Sequence, residues 1–258
     1  MNIIEFAKTN MLILDGAMGT MLQAGLSARE IHLAYLEAGA NVILTNTFNN
    51  PSDADITATV QLAREVAVGF DAYVLLDLAP SGHLLMPLGD LTLEDAYTNF
   101  KRQVIAGVAA GVDAIYIETM TDLREAECAV RAAKENCDLP VFCTMSFEAS
   151  MHTFMGTDIP TMATTLTELG ADFLGINCSV GPTEMKGMAA ELMKWTHLPI
   201  VIKPNAGLPC FDGSKAVYDV SPEDFAREME GLVALDVSGI GGCCGTTPEF
   251  IRALANIV

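Results

Sequence analysis

Basic residues are scarce in this sequence. Lysine and arginine number 14 against 33 aspartates and glutamates, a formal net charge of −19 at pH 7. Phosphate contacts need clustered cations, so nucleic acid is excluded as a partner. The surplus of negative charge reads as a device for solubility, or as an attraction for a basic partner. Long apolar runs are also missing. No stretch of eighteen apolar residues occurs, which excludes a helical membrane span. The opening Met1-Asn2-Ile3-Ile4-Glu5-Phe6 lacks the basic start and apolar stretch of a secretion signal. A disulfide framework is absent as well: the seven cysteines are an odd count, two are adjacent, and their spacing is irregular. That usage fits a reducing, cytoplasmic setting. No linker rich in proline or serine divides the chain, so residues 1–258 are expected to form one domain around one large core.

What the sequence does have is alternation. Short apolar runs, expected to be strands, lie at Met11–Leu14, Asn41–Leu44, Tyr73–Leu78, Ala114–Ile117, Val141–Met145, Phe173–Ile176, Pro199–Ile202 and Val237–Ile240. Stretches of helical period follow them at Ala28–Ala38, Ile56–Val68, Leu93–Ala110, Asp122–Asn136, Ile159–Leu169, Thr183–Trp195, Pro222–Leu232 and Pro248–Ala255. Thr92 reads as an N-cap with Glu94 and Asp95 in the first turn, and Pro160 suits a helix start. Unalternated apolar strands are buried on both faces, and strand–helix alternation implies parallel strands with right-handed crossovers. Eight such units predict a single (β/α)8 TIM barrel, with an open doubly wound sheet as the rival.

Barrel active sites lie at the C-terminal ends of the strands. The polar residues there are Asp15, Asn46, Asp77, Glu118, Ser146, Asn177, Cys178, Asn205, Cys243 and Cys244. Cys178 closes one apolar run, and Cys243 and Cys244 close another. Three thiolates with a fourth position open form the ligand set of a catalytic zinc ion, and soft sulfur ligands select zinc over magnesium or calcium. Such a cluster is electron-rich, so it is a weak generator of hydroxide and hydrolysis is disfavoured. It suits the binding of a fourth sulfur, whose proton the metal displaces. The chemistry expected from the residues is attack of a zinc-bound thiol on an alkyl group.

Five segments carry a resemblance. They are Asp15-Gly16-Ala17-Met18-Gly19-Thr20-Met21-Leu22-Gln23, Thr45-Asn46-Thr47-Phe48-Asn49, Gly175-Ile176-Asn177-Cys178, Pro204-Asn205-Ala206-Gly207-Leu208-Pro209 and Gly241-Gly242-Cys243-Cys244-Gly245-Thr246-Thr247-Pro248. In this order they resemble the homocysteine S-methyltransferase family, and within it the homocysteine-binding barrel of cobalamin-dependent methionine synthase. The resemblance implies zinc-dependent methylation of homocysteine to methionine. It implies zinc on Cys178, Cys243 and Cys244, and the substrate ammonium on Asp15 and Glu118. The substrate carboxylate would meet the backbone of Gly16, Ala17, Met18, Gly19 and Thr20, with Asn177 also among the substrate contacts and orienting the site through hydrogen bonds. No cobalamin or folate module is recognised in the chain, so the donor is expected on a separate protein, as methylcobalamin on a corrinoid protein. Free S-methylmethionine or a betaine are the other donors the resemblance allows. Three departures mark this sequence: Leu44 stands where the family has an acid, the segment after Gly25 is short, and the Ala79–Asp90 loop lacks the usual Gly-Pro pattern. They leave open another small thiol as acceptor, or a zinc- or thiol-binding subunit without catalysis.

The remaining candidates have plainer readings. Cys128, Cys137 and Cys143 read as core fillers and Cys210 is undecided. Asp77, His32 and His197 read as structural, and His83 and His152 as exposed loop residues. Met18, Met21, Met145, Met151 and Met155 are candidates to line a donor port. The glycines near Gly16 match neither the Walker nor the dinucleotide spacing.

Overall fold

The structure is a computed structural model that describes residues 2–212 and 215–258. In chain order the elements are α1 (Ile3–Ala7), β1 (Leu12–Ile13), α2 (Gly19–Gln23), α3 (Ala28–Glu37), β2 (Val42–Leu44), α4 (Asp53–Ala67), β3 (Tyr73–Leu78), α5 (Leu93–Ala110), β4 (Ala114–Met120) and α6 (Leu123–Asn136). They continue with β5 (Val141–Met145), α7 (Ile159–Glu168), β6 (Phe173–Asn177), α8 (Pro182–Leu192), β7 (Ile200–Lys203), β8 (Cys210–Asp212), β9 (Lys215–Val217), α9 (Pro222–Val233), β10 (Gly239–Ile240) and α10 (Pro248–Ala255).

Strands β1 to β7 and β10 form one parallel sheet in the order β1-β10-β7-β6-β5-β4-β3-β2. The two ends of that order meet: Leu14 bridges Val42, Asp15 N donates to Val42 O (3.0 Å), and Asn41 N donates to Ile13 O (2.9 Å). The Asn41 side chain reinforces the seam, accepting from Ile13 N at 2.9 Å and donating to Met11 O at 3.0 Å. The (β/α)8 barrel expected from the sequence is the fold. The open doubly wound alternative is overturned by this seam.

Both faces of each strand are buried, for two different reasons. Side chains that point outward, such as Leu76, Ile115, Cys143, Leu174 and Ile202, pack under the helices. Those that point inward fill the barrel: Leu12, Leu14, Val42, Leu75, Tyr116, Phe142, Phe173 and Val201, with Ile3 of α1 buried in the same cluster. Three aromatic rings from adjacent strands form the centre of this filling. Phe142 stacks on Phe173 with centroids 3.9 Å apart and lies 5.6 Å from Tyr116. The barrel below the mouth is therefore a packed core that holds the strand ends apart.

Local chemistry sets the helix ends. Thr92 accepts from Asp95 N at 3.0 Å, as its position predicts. Ser52, which the sequence reading passed over, starts α4 at Asp53, three residues earlier than the apolar period suggested. Four other elements lay outside that reading. The short helix α1 precedes the first strand, and Gly19 and Thr20 belong to the short helix α2. A two-stranded hairpin, β8 against β9, follows the Pro204–Pro209 segment. Cys210 begins β8, and its side chain lies outside the described residues.

The aromatic stack gives a direct test of the packing. Phe142→Ala deletes a fully buried ring between two others and is expected to destabilise the protein by about 3–5 kcal/mol. Urea denaturation measures it, and a loss below about 1 kcal/mol would contradict the packing described.

Candidate metal centre and acceptor cavity

The strand ends converge on one cavity of about 300 Å³ at the C-terminal mouth of the barrel. Its wall includes the loop Asp15 to Thr20, Leu44 to Asn46, Asp77, Glu118, Thr119 and Lys203, with Cys178, Cys243 and Cys244 on one side. A volume near this size suits a ligand as small as an amino acid.

The three cysteines meet because β7 lies between their strands. Cys178 N donates to Lys203 O (3.0 Å) on one side of β7, and Cys243 N donates to Pro204 O (2.7 Å) on the other. At Cys178 and Ser179 the chain leaves β6 with φ of 63° and 68°, a left-handed turn uncommon outside glycine. Such strained residues cluster at functional sites. Gly242 lets the second loop close, since a Cβ there would sit 2.3 Å from Thr246 Oγ1. That threonine accepts from Ala17 N at 3.2 Å and donates to Cys243 O at 2.7 Å. It thereby fastens the Asp15–Thr20 loop to the cysteine loop.

The sulfurs of Cys178, Cys243 and Cys244 all lie within 4.8 Å of one another, and those of Cys178 and Cys244 are 3.9 Å apart. A tetrahedral zinc ion with Zn–S bonds of about 2.3 Å sets its sulfurs about 3.8 Å apart, so the trio fits that ion. Hydrogen bonds from Cys178 and from Cys243 pull the Cys244 thiol down to about 3, while bonds within the same trio hold Cys243 well above an ordinary thiol and Cys178 is raised to about 11; a metal would have to displace the protons of those two. The residues fit zinc in number, softness and spacing. Tyr218 adds a hydrogen bond to Cys244, and its ring packs over Gly245.

Asn177, expected among the substrate contacts, sits one layer behind the cavity wall. Its Oδ1 accepts from Thr119 N (2.8 Å) and Thr144 Oγ1 (2.7 Å). Its Nδ2 donates to Thr119 Oγ1 (2.7 Å), Glu118 Oε2 (3.4 Å) and Cys243 Sγ (3.9 Å). The side chain is fully buried and its polar atoms are engaged, so it positions Glu118 and Cys243 and has no face left for a ligand. Glu118 itself is turned into the mouth by a register shift between Ile117 and Met120, where Thr119 has φ 59°.

The residue that sequence reasoning missed is Lys203. Its side chain is 3% exposed, and its ammonium lies 3.1 Å from Asp15 Oδ1, 3.8 Å from Glu118 Oε2 and 5.5 Å from the Tyr116 ring centre. Burial works against the charge, but Asp15 and then Glu118 outweigh it and hold its pKa well above that of an ordinary lysine. The signal was present in the sequence, as a lysine at the very end of an apolar strand, where the barrel places its functional residues.

The other expected residues divide plainly. Asp15, Gly16, Ala17, Met18, Gly19, Thr20 and Glu118 line the cavity, as do Asn46 and Asp77. Ser146 and Asn205 do not line it. Of the methionines offered for a donor port, Met145 is fully buried among the barrel helices and is corrected to core. His83 faces Asp90, His152 faces its own loop carbonyl at Ser150, and His32 is buried in α3.

A closed (β/α)8 barrel with a metal-capable trio of cysteines and an amino-acid-sized cavity at its mouth defines a narrow class of protein. The chain belongs to the homocysteine S-methyltransferase family, whose model matches residues 12–258. It is 32% identical over 305 aligned positions to proteins called methionine synthase in Mycobacterium tuberculosis and Mycobacterium leprae. Those matches take in 100% of this chain and 25% of each relative, so the chain spans about a quarter of the length of the curated relatives it matches. In fold it resembles the metallated form of the homocysteine methyltransferase MmuM from Escherichia coli, with a TM-score of 0.83, 24% identity and 99% of each chain covered. Among the described residues no helix is long and apolar enough to cross a membrane.

Burial and the neighbouring Glu118 hold the Asp77 carboxyl well above the usual carboxylate range. A carboxyl raised on folding stabilises the fold at low pH and loses that contribution as the pH climbs through its folded pKa. Asp77→Asn removes the penalty. The variant is expected to be more stable than the parent near about pH 8, with the gain shrinking towards about pH 4, the unfolded carboxylate range. Urea denaturation at both pH values checks it; a variant less stable at the higher pH contradicts the charge balance described.

Proposed function

We propose that the protein is a zinc-dependent methyltransferase that moves a methyl group to the thiol of homocysteine, forming methionine. The observation that carries the reading is the meeting of Cys178, Cys243 and Cys244 beside a cavity that is acidic on one wall and lined by backbone on another. Zinc held by the three thiolates would supply the Lewis acidity that favours the ionised form of the acceptor thiol.

The chain's own residues do the rest. The backbone from Gly16 to Thr20 enters α2, where the first N–H groups of a helix lack internal partners and suit a carboxylate. The acids of the wall suit an ammonium. Asn177 holds Glu118 and Cys243 in register, and Thr246 holds the backbone loop against the cysteine loop. The acceptor's proton leaves before transfer. The new C–S bond forms as the donor's bond to the methyl carbon breaks, and that electron pair stays with the donor.

The donor is proposed to be a methylated corrinoid carried on a separate protein surface. Phe48, Leu84, Met86, Leu88, Phe154 and Leu208 are large apolar residues left exposed on loops that follow the C-terminal ends of β2, β3, β5 and β7. Exposed apolar surface gathered at one rim suits a protein-borne donor better than a small free one. The mycobacterial relatives are called methionine synthase, which agrees with methionine as the product. Lys203 and Leu44 on the cavity wall favour a second reading, transfer to a different small thiol, and the assay below includes it.

Protein purified with zinc is expected to hold about one ion per chain at a three-cysteine site and to make methionine from homocysteine and a methylated corrinoid protein. Cys243→Ala is expected to lose both metal and at least about 100-fold in rate, as removal of a metal ligand should. Metal analysis and product assay over a panel of small thiols measure this. Full activity in the absence of metal would reject the mechanism, and turnover with another thiol alone would move the reading to that acceptor.

A further inference from the structure

We propose that Asp77, together with Glu118, receives the ammonium group of the acceptor amino acid, while Lys203 retains Asp15 for itself. The assignment rests on the amino-acid-acceptor reading above and refines it.

The sequence resemblance assigns the ammonium to Asp15 and Glu118, but Asp15 is already engaged. Its Oδ1 is 3.1 Å from the Lys203 ammonium and its Oδ2 accepts from Leu44 N at 2.8 Å. Lys203 is buried on the cavity floor, with Asp15 as its nearest counter-charge. An incoming ammonium that took Asp15 would leave a desolvated lysine without its main partner, which is strongly unfavourable.

Asp77 offers what Asp15 lacks. It lines the same cavity and is 4% exposed. Its Oδ1 is the one buried carboxylate oxygen, among the described residues, with no hydrogen-bond partner. Buried polar atoms are paired as a rule, so an orphaned acceptor on a cavity wall points to a ligand that donates. Charge leads to the same place. Among the described residues that line the cavity, Asp15, Asp77 and Glu118 face one cation, Lys203, so the acids outnumber the basic groups before an ammonium arrives.

The backbone around Asp77 is fixed in advance. Asp77 N donates to Thr45 Oγ1 at 3.0 Å, Thr47 Oγ1 donates to Asp77 O at 2.6 Å, and the two hydroxyls lie 2.8 Å apart. The two threonines flanking Asn46 therefore act as a clamp on Asp77. The threonines fix the main chain and burial confines the side chain, so Asp77 has little freedom left to lose on binding, which is how a fixed site gains affinity. An ammonium carries three N–H donors, enough for Asp77 and Glu118 at once.

The test is calorimetric titration of the zinc-loaded protein with homocysteine and with 4-mercaptobutanoate, which has the same thiol and carboxylate but no amino group. The parent is expected to prefer homocysteine by roughly 10- to 100-fold, the range of a charge-assisted hydrogen bond. Asp77→Asn is expected to lose at least about tenfold of that preference while its affinity for 4-mercaptobutanoate moves by less than about threefold. The proposal is overturned if Asp77→Asn keeps the preference, or if it weakens both thiols equally, as a merely structural residue would. If the parent binds neither thiol, the acceptor reading itself fails and this assignment falls with it. A crystal structure of the parent with homocysteine gives an answer independent of any variant. The amino nitrogen is expected about 3 Å from Asp77 Oδ1. A nitrogen seated on Asp15, with Lys203 displaced, overturns the proposal.

Discussion

The end of β7 is the part on which everything else at the mouth depends. Two consecutive carbonyls, those of Lys203 and Pro204, accept the backbone N–H groups of Cys178 and Cys243 from opposite sides. Residues remote in sequence thus become neighbours through main-chain bonds, before any metal is considered. The parallel register supplies this geometry only because β6, β7 and β10 are consecutive in the sheet. The packed rings of Tyr116, Phe142 and Phe173 lie within the barrel and keep that arrangement stiff.

The same strand end carries the charge problem of the site. Lys203 is drawn into the core with carboxylates around it, and Asp77 and Glu118 are both pushed towards their neutral forms by burial. Such an arrangement is costly for folding alone. Left-handed backbone at Thr119, Cys178 and Ser179 adds local strain in the same few ångströms. Local rules broken together in one place are what a functional site looks like in an otherwise consistent fold. The compensation lies nearby, in the fully bonded Asn177, in Thr246, and in the threonine pair beneath Asp77.

Much of the fold was legible because a parallel barrel writes its strands as continuous apolar runs, and its helices as periodic stretches with caps such as Thr92. The three cysteines were legible because they follow strands and stand beside glycines. The short helices α1 and α2 and the β8–β9 hairpin were not, since none has a length or period that sequence patterning detects. Asn177 was seen but placed one layer too far forward, because a strand-end position does not say whether the next strand covers a side chain. Lys203 was passed over because its meaning lies in its partners, Asp15 and Glu118, which are distant in sequence and adjacent only across the barrel.

The central claim is that three sulfurs from two strand ends hold one divalent ion whose remaining corner takes the acceptor thiol. X-ray absorption at the zinc edge, recorded with and without homocysteine, tests it most directly. The account predicts three sulfur neighbours at about 2.3 Å without the thiol and a fourth sulfur at a similar distance when it is added. Fewer than three sulfurs in the first spectrum, or no change in the second, would contradict it.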